Sequence, residues 1–275
     1  MNRYLILRLL GVATALAAMF GCDAVHERIH MSKGNRMYNA QKFEAAAVEY
    51  RGAIEVQPTA FEPNYRLASA YLSLVQGGTL AKDYAAEARR TLERCLELDV
   101  PDEATRQNIQ DQLVGLLMAG EDWDGAIALM ERRIEREPTN LGLVEKLAGV
   151  YSKRGDFPRA LHYLELRTEL DPGSAQTWHT ISVLCWDRSY RGGSFVSRGE
   201  RERLVTQGLA AVQHALDLRP DWPDSLIYYN LLLRERAKVH QVAGRNAEAV
   251  RDTAQAEEYL KRALALRSKA TAAKI

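Results

Sequence analysis

This sequence holds little that supports covalent chemistry. Cysteine occurs at three positions only, Cys22, Cys95 and Cys185, and no two of them form a Cys-x-x-Cys pair. That removes the common redox motif and the usual structural zinc spacing. There is no Gly-x-Ser-x-Gly elbow and no glycine-rich phosphate loop. His162, His179, His214 and His240 are scattered singly. An excess of either charge is missing too, with 37 Lys and Arg against 36 Asp and Glu and a net charge of +1. An evenly mixed surface lacks the basic patch with which proteins grip nucleic acid, so no nucleic-acid partner is expected. Proline is sparse, at 8 residues, while Ala, Leu, Glu and Arg are abundant, as in an all-helical protein. A chain of 275 residues has room for one large domain or two ordinary ones.

What is present begins with a targeting signal. Residues 1–21 carry Arg3 and Arg8 and no acid, so their removal takes the net charge from +1 to −1. An apolar run follows over residues 9–20, too short to span a bilayer comfortably and fit for the core of a secretory signal peptide. Gly21-Cys22 ends the run and resembles the lipobox of bacterial lipoproteins. Met19 and Phe20 stand where that family usually has Leu and a small residue. The resemblance implies a lipid on Cys22 and a membrane-anchored protein of the cell envelope facing the periplasm. Cleavage after Ala15-Leu16-Ala17 is the alternative and leaves a soluble periplasmic protein.

The rest is repetitive. Residues 139–172 place Leu147-Ala148, Tyr151, Gly155, Phe157, Ala160, Leu164 and Pro172 in a fixed order. Small residues at Ala148 and Ala160 let two helices cross closely. Tyr151 and Phe157 fill the space around them, and Pro172 ends one helix and opens the next pair. This pattern resembles the tetratricopeptide repeat (TPR), and Pro138 and Pro172 lie one ~34-residue family period apart. Looser copies carry Ala46, Tyr50 and Ala53; Leu67-Ala68, Tyr71 and Ala88; Ala126 and Met130; Ile181-Ser182 and Ala215; and Ala256, Leu260 and Ala263. The resemblance implies an all-α, right-handed TPR solenoid of about six helical pairs over residues 22–275. Its repeats cover approximately residues 27–60, 61–102, 107–140, 141–174, 175–222 and 223–268. In that arrangement Cys95 and Cys185 are several helices apart, and neighbouring helix axes are already about 8–10 Å apart. Both therefore read as small buried residues rather than a disulfide.

Three repeats exceed the family period: the second, fifth and sixth. In the fifth, the first helix is expected to end near Asp187, and Ser197 with Glu200 forms a capping box for an early start of the second. A loop over residues 188–196 is left, opened by Gly192-Gly193, with the arginines there mostly solvated. In the sixth, the first helix runs to Gly244 and Asn246 caps the next. These lengthened helices fall on one edge and predict a ledge near the C-terminus.

One motif suggests metal chemistry. Residues 26–30 read His-Glu-Arg-Ile-His. On a helix His26 and His30 would share a face and could bind zinc, with Glu27 as general base and Glu49 as a third ligand. That is the enzyme alternative, a small zinc-dependent hydrolase. Against it, the motif lies four residues after Cys22, with no preceding polypeptide to supply the substrate-binding strand of a metalloprotease, and Arg28 occupies a position zinc proteases keep uncharged. Glu49-Tyr50 already belongs to the first repeat. The two histidines read as a polar first turn, and neither metal, cofactor nor catalysis is expected.

The TPR resemblance implies a groove lined by the first helix of each pair, in which a peptide or helix of a protein partner binds. Carried onto this chain, the inward positions are Met31, Asn35, Tyr38 and Asn39 in the first repeat. Tyr65, Ser69 and Leu72 follow in the second, then Met118, His179, Trp186 and Leu231. Asn35 and Asn39 suit a peptide backbone; Tyr38, Tyr65 and Leu72 suit apolar contact. Met31 replaces the lysine that a chaperone-tail carboxylate clamp needs. The implied function is a lipid-anchored envelope scaffold that assists assembly of a complex.

Overall fold

The computed structural model describes residues 24–77 and 81–272. The expected signal peptide and Cys22 lie outside them. Among the described residues there are 12 α-helices and no strand. The chain divides into two compact units, one ending at Asp122 and the other starting at Trp123. The division falls at the turn inside the 107–140 repeat. Each unit is a succession of packed helices, five in the first and seven in the second.

The first unit contains α1 (24–39), α2 (Phe43–Val56), α3 (Phe61–Gly77), α4 (Ala81–Glu97) and α5 (Glu103–Ala119). Ala46, Tyr50 and Ala53 recur at helical spacing, so one stripe of α2 turns inward, and all three are fully buried. Ala46 and Tyr50 pack with Leu67, Ala70 and Tyr71 of α3 and Ala88 of α4. Gly34 lets α1 approach closely. A Cβ there would lie 2.6 Å from Cε1 of Tyr50.

The second unit contains α6 (Trp123–Arg136), α7 (Leu141–Arg154), α8 (Phe157–Leu170), α9 (Ala175–Arg191), α10 (Arg198–Leu218), α11 (Pro223–Val242) and α12 (Asn246–Ala272). Ala148, Leu164, Ile181, Cys185 and Leu204 form one core cluster. Leu226, Leu232 and Leu233 of α11 form another with Ala256 and Ala263 of α12. Side-chain caps start four of the helices, the expected one at Ser197 among them. Asn140, Asp156, Ser174 and Ser197 accept from the main-chain N–H three residues on, at 3.2, 3.3, 3.3 and 3.2 Å.

Four helices end in the same way. After α1, α5, α7 and α11 a residue with positive φ reverses the chain: Gln41, Glu121, Gly155 and Gly244. In each case the next N–H reaches back five residues, as Lys42 does to the Met37 carbonyl at 2.9 Å and Arg245 to that of His240 at 2.8 Å. This Schellman closure satisfies carbonyls that a helix end leaves open.

The lengthened helices are present, with differences from expectation. Helix α9 does not stop near Asp187 but runs to Arg191, because the extra turn has its own support. Arg191 pairs with Asp187 at 2.7 Å, and Tyr190 stacks on Trp186 at 5.0 Å. The remaining link is a 3₁₀ turn, Gly193–Phe195, followed by the buried Val196. One neighbouring arginine is engaged rather than solvated. Arg201 of α10 donates to the main-chain carbonyls of Ser189 and Gly193. Helix α12 opens at Asn246 itself.

The ledge also buries charge. Glu235 is 3% exposed and lies 2.5 Å from Lys238 and 3.9 Å from Arg201. Asp252 is 5% exposed and accepts from Nε and Nη2 of Arg236 at 3.0 and 2.7 Å. His240 Nδ1 lies 3.2 Å from the same carboxylate.

Candidate protein-binding faces

In the first unit the first helices of successive pairs, α1, α3 and α5, are tied side to side. Tyr38 of α1 shares a hydrogen bond with Ser73 of α3 at 3.1 Å. Tyr65 of α3 donates to Asn108 Oδ1 of α5 at 3.3 Å. The rings themselves are half-buried: Tyr38 meets Phe43 edge-on and Tyr65 stacks on Phe61. Met31 and Leu72 are half-buried against the core cluster. Asn39 is exposed, and so is Asn35, whose Oδ1 accepts from the Tyr50 hydroxyl at 2.9 Å. Ser69 spends its hydroxyl on the Tyr65 carbonyl at 2.9 Å, one turn back. Met118 is half-buried at the end of α5. The structure therefore gathers Tyr38, Tyr65, Ser69 and Leu72 into one face. Its polar atoms are largely engaged, and its ring and methyl surfaces are partly open.

The second unit treats its predicted residues differently. His179 of α9 is buried. Its Nδ1 is 2.9 Å from Ser225 Oγ, and its ring packs on Trp222 and Tyr228 of α11 at 4.5 and 5.3 Å. Burial holds its pKa below the usual histidine value, with Asp224 pulling the other way. Its role here is to join α9 to α11. Trp186 and Leu231 remain half-buried and share a cavity of about 420 Å³ with Tyr190, Arg234 and Lys238. These last three were not expected at a site. Their signal was in the chain: Leu231, Arg234, Lys238 and Gln241 recur at helical spacing on one stripe of α11.

The histidine motif lies on α1. His30 Nδ1 is hydrogen-bonded to Glu49 Oε2 of α2 at 2.8 Å, and the ring covers Gly52, where a Cβ would meet it at 2.7 Å. His26 is exposed, and Glu27 is half-buried. Among the described residues no three His, Cys, Asp or Glu side chains gather as a metal site. Cys95 and Cys185 are free and buried, and burial pushes each thiol up to about 12. Neither supplies a thiolate nucleophile at neutral pH. Among the described residues no helix is long and apolar enough to cross a membrane.

No protein-family model matches the chain, and no curated protein matches it. Among solved structures it is similar to YrrB, described as a TPR protein with an unusual peptide-binding site. That likeness has 20% identity over 72% of this chain and 88% of the other, with a TM-score of 0.46. It is similar to the MamA protein at 19% identity over 71% of this chain and 93% of that one, TM-score 0.48. It is also similar to PilF of Pseudomonas aeruginosa at 13% identity over 90% and 99%, TM-score 0.41.

Proposed function

We propose that this protein is a non-catalytic scaffold of the TPR kind, held at a bacterial cell envelope by a lipid on Cys22, that binds a protein partner. The observation that carries the reading is the side-to-side tie of α1, α3 and α5 through Tyr38–Ser73 and Tyr65–Asn108. A face built this way is rigid before a partner arrives. Little side-chain freedom is then lost on binding, and partly open aromatic rings on a fixed frame are the usual anchors of an interface. The engagement of His30 by Glu49 favours this reading over the zinc hydrolase, since it spends the imidazole on a helix–helix contact. The anchor rests on the sequence alone, on the apolar core ending at Gly21-Cys22.

Crosslinking in intact envelopes, followed by recovery of the tagged protein, tests the partner. The wild type should recover a small set of proteins, and Tyr38→Ala with Tyr65→Ala should lose at least one. An unchanged set from a folded double variant would move the site off this face. Fractionation of Cys22→Ala tests the anchor. Equal membrane recovery of wild type and variant would show that no lipid is attached there.

A further inference from the structure

The second unit carries a trough along α11 made of three adjoining hollows of about 420, 380 and 320 Å³. The first shares Gln241 and Thr253 with the second, and Glu235 and Lys238 with the third. Helix α11 floors the first and third, whereas the second lies on α12 and takes only Gln241 from α11. Trp186 and Tyr190 of α9 flank one side and Val250 and Ala254 of α12 the other. From Leu231 to Val242 the floor is about 16 Å long, at ~1.5 Å per helical residue. That length matches about five residues of extended chain.

The lining is apolar in its walls and positive in its reachable charges. Trp186 and Tyr190 form a stacked shelf, and Val242 and Val250 are 73% and 69% exposed. Arg198, Arg201, Arg234 and Lys238 line the trough against two carboxylates, Glu235 and Glu257. Glu235 is buried and already answered by Lys238 and Arg201. Arg234 is held at Nε by the neutral amide of Asn230 at 2.9 Å, not by an acid. Arg198 is exposed. The four cations among the lining side chains outnumber the two carboxylates, although the chain as a whole is nearly neutral.

We infer that this trough takes a short acidic peptide segment, about five residues long, with an aromatic or aliphatic side chain for the Trp186–Tyr190 shelf. Carboxylates on the segment would meet Arg198 and Arg234, and its apolar side chain would cover the shelf and exclude water from those pairs. A long hollow along α11 with a further hollow on each side of the helix end suits successive side chains of a peptide better than one rigid small molecule. The inference rests on the proposed scaffold function and names the partner's chemistry at a second face.

A random 12-residue peptide library displayed on phage is selected on the wild-type protein and depleted on the folded double variant Arg198→Glu with Arg234→Glu. Recovered peptides should be rich in Asp and Glu beside an aromatic or aliphatic residue. They should bind the double variant and Tyr190→Ala at least tenfold more weakly. Changing Asp and Glu in a recovered peptide to Asn and Gln should cost a similar factor and leaves the protein untouched. Recovery of neutral or basic peptides, indifference to the Asn and Gln exchange, or no peptide that depends on the trough would each overturn the inference. Any of these beside an intact envelope partner lost on Tyr38→Ala with Tyr65→Ala would reject the trough and leave the scaffold reading standing.

Discussion

Asp252 of α12 is gripped by two nitrogens of Arg236 of α11, at 3.0 and 2.7 Å, with the carboxylate almost fully buried. A pair like this adds little over a well-packed apolar pair, but breaking it strands a buried charge. Arg236→Ala should cost about 3 kcal/mol in urea unfolding. Arg236→Met combined with Asp252→Leu should recover most of that. If the double variant is as unstable as the single one, the pair is not what joins these helices.

Gln41 and Glu121 hold φ values of 58° and 59°, the left-handed region that Gly155 and Gly244 occupy at the ends of other first helices. An L-residue with a Cβ pays roughly 1 kcal/mol there. Gln41→Gly and Glu121→Gly should each stabilise the protein by up to about 1 kcal/mol, whereas Gly155→Ala should destabilise it by a similar amount. Denaturant midpoints measure this directly. Lower midpoints for both glycine variants would contradict the account.

Gly34 sits under the Tyr50 ring. A methyl group added there falls 2.6 Å from the ring, and Tyr50 is fully buried with its hydroxyl bonded to Asn35. Gly34→Ala should cost about 1–3 kcal/mol although alanine favours helix. Pairing it with Tyr50→Leu should return part of the loss. An unaffected melting temperature for Gly34→Ala would mean that α1 and α2 can separate freely.

His179 links stability to pH. Burial lowers its folded pKa, so the unfolded chain takes up a proton that the folded chain refuses. Stability is complete above the unfolded histidine pKa of about 6.5 and falls as pH drops below it toward the lower folded value. The melting temperature of the wild type should therefore drop between about pH 7.5 and 5.5, and His179→Asn should drop less over the same range. Parallel curves for the two proteins would assign the acid sensitivity elsewhere.

Arg201 ties the link between α9 and α10 by donating to the Ser189 and Gly193 carbonyls, and Val196 is buried beneath it. Removal of its side chain leaves those carbonyls to water and withdraws a cation from the buried Glu235. Arg201→Ala should lower stability by about 1–3 kcal/mol and speed chymotrypsin cleavage after Phe195, which is 90% exposed. Arg203→Ala, on the exposed side of α10, should do neither. Identical cleavage rates for wild type and Arg201→Ala would show that the link holds itself.

The sequence by itself determined the helices, their pairing and much of the core. Ala46, Tyr50 and Ala53, or Leu147, Ala148 and Tyr151, repeat with the period of a helix and are buried for that reason. Ser174, Ser197 and Asn140 mark starts, and Gly155 and Gly244 mark ends, because caps and reversals are settled by backbone geometry within a few residues. Trp186 and Leu231 were named through the TPR resemblance, and the structure leaves both half-buried beside one hollow. Only the tertiary structure decided which polar groups meet. Asp252 and Arg236 lie on different helices, Glu49 reaches His30 nineteen residues away, and His179 turns inward to Ser225. It also decided that Gln41 and Glu121 would accept a strained turn and that α9 would run on to Arg191. Such outcomes depend on how close two helices come and at what angle. Packing across the whole interface sets that distance, and no local spacing along the chain records it.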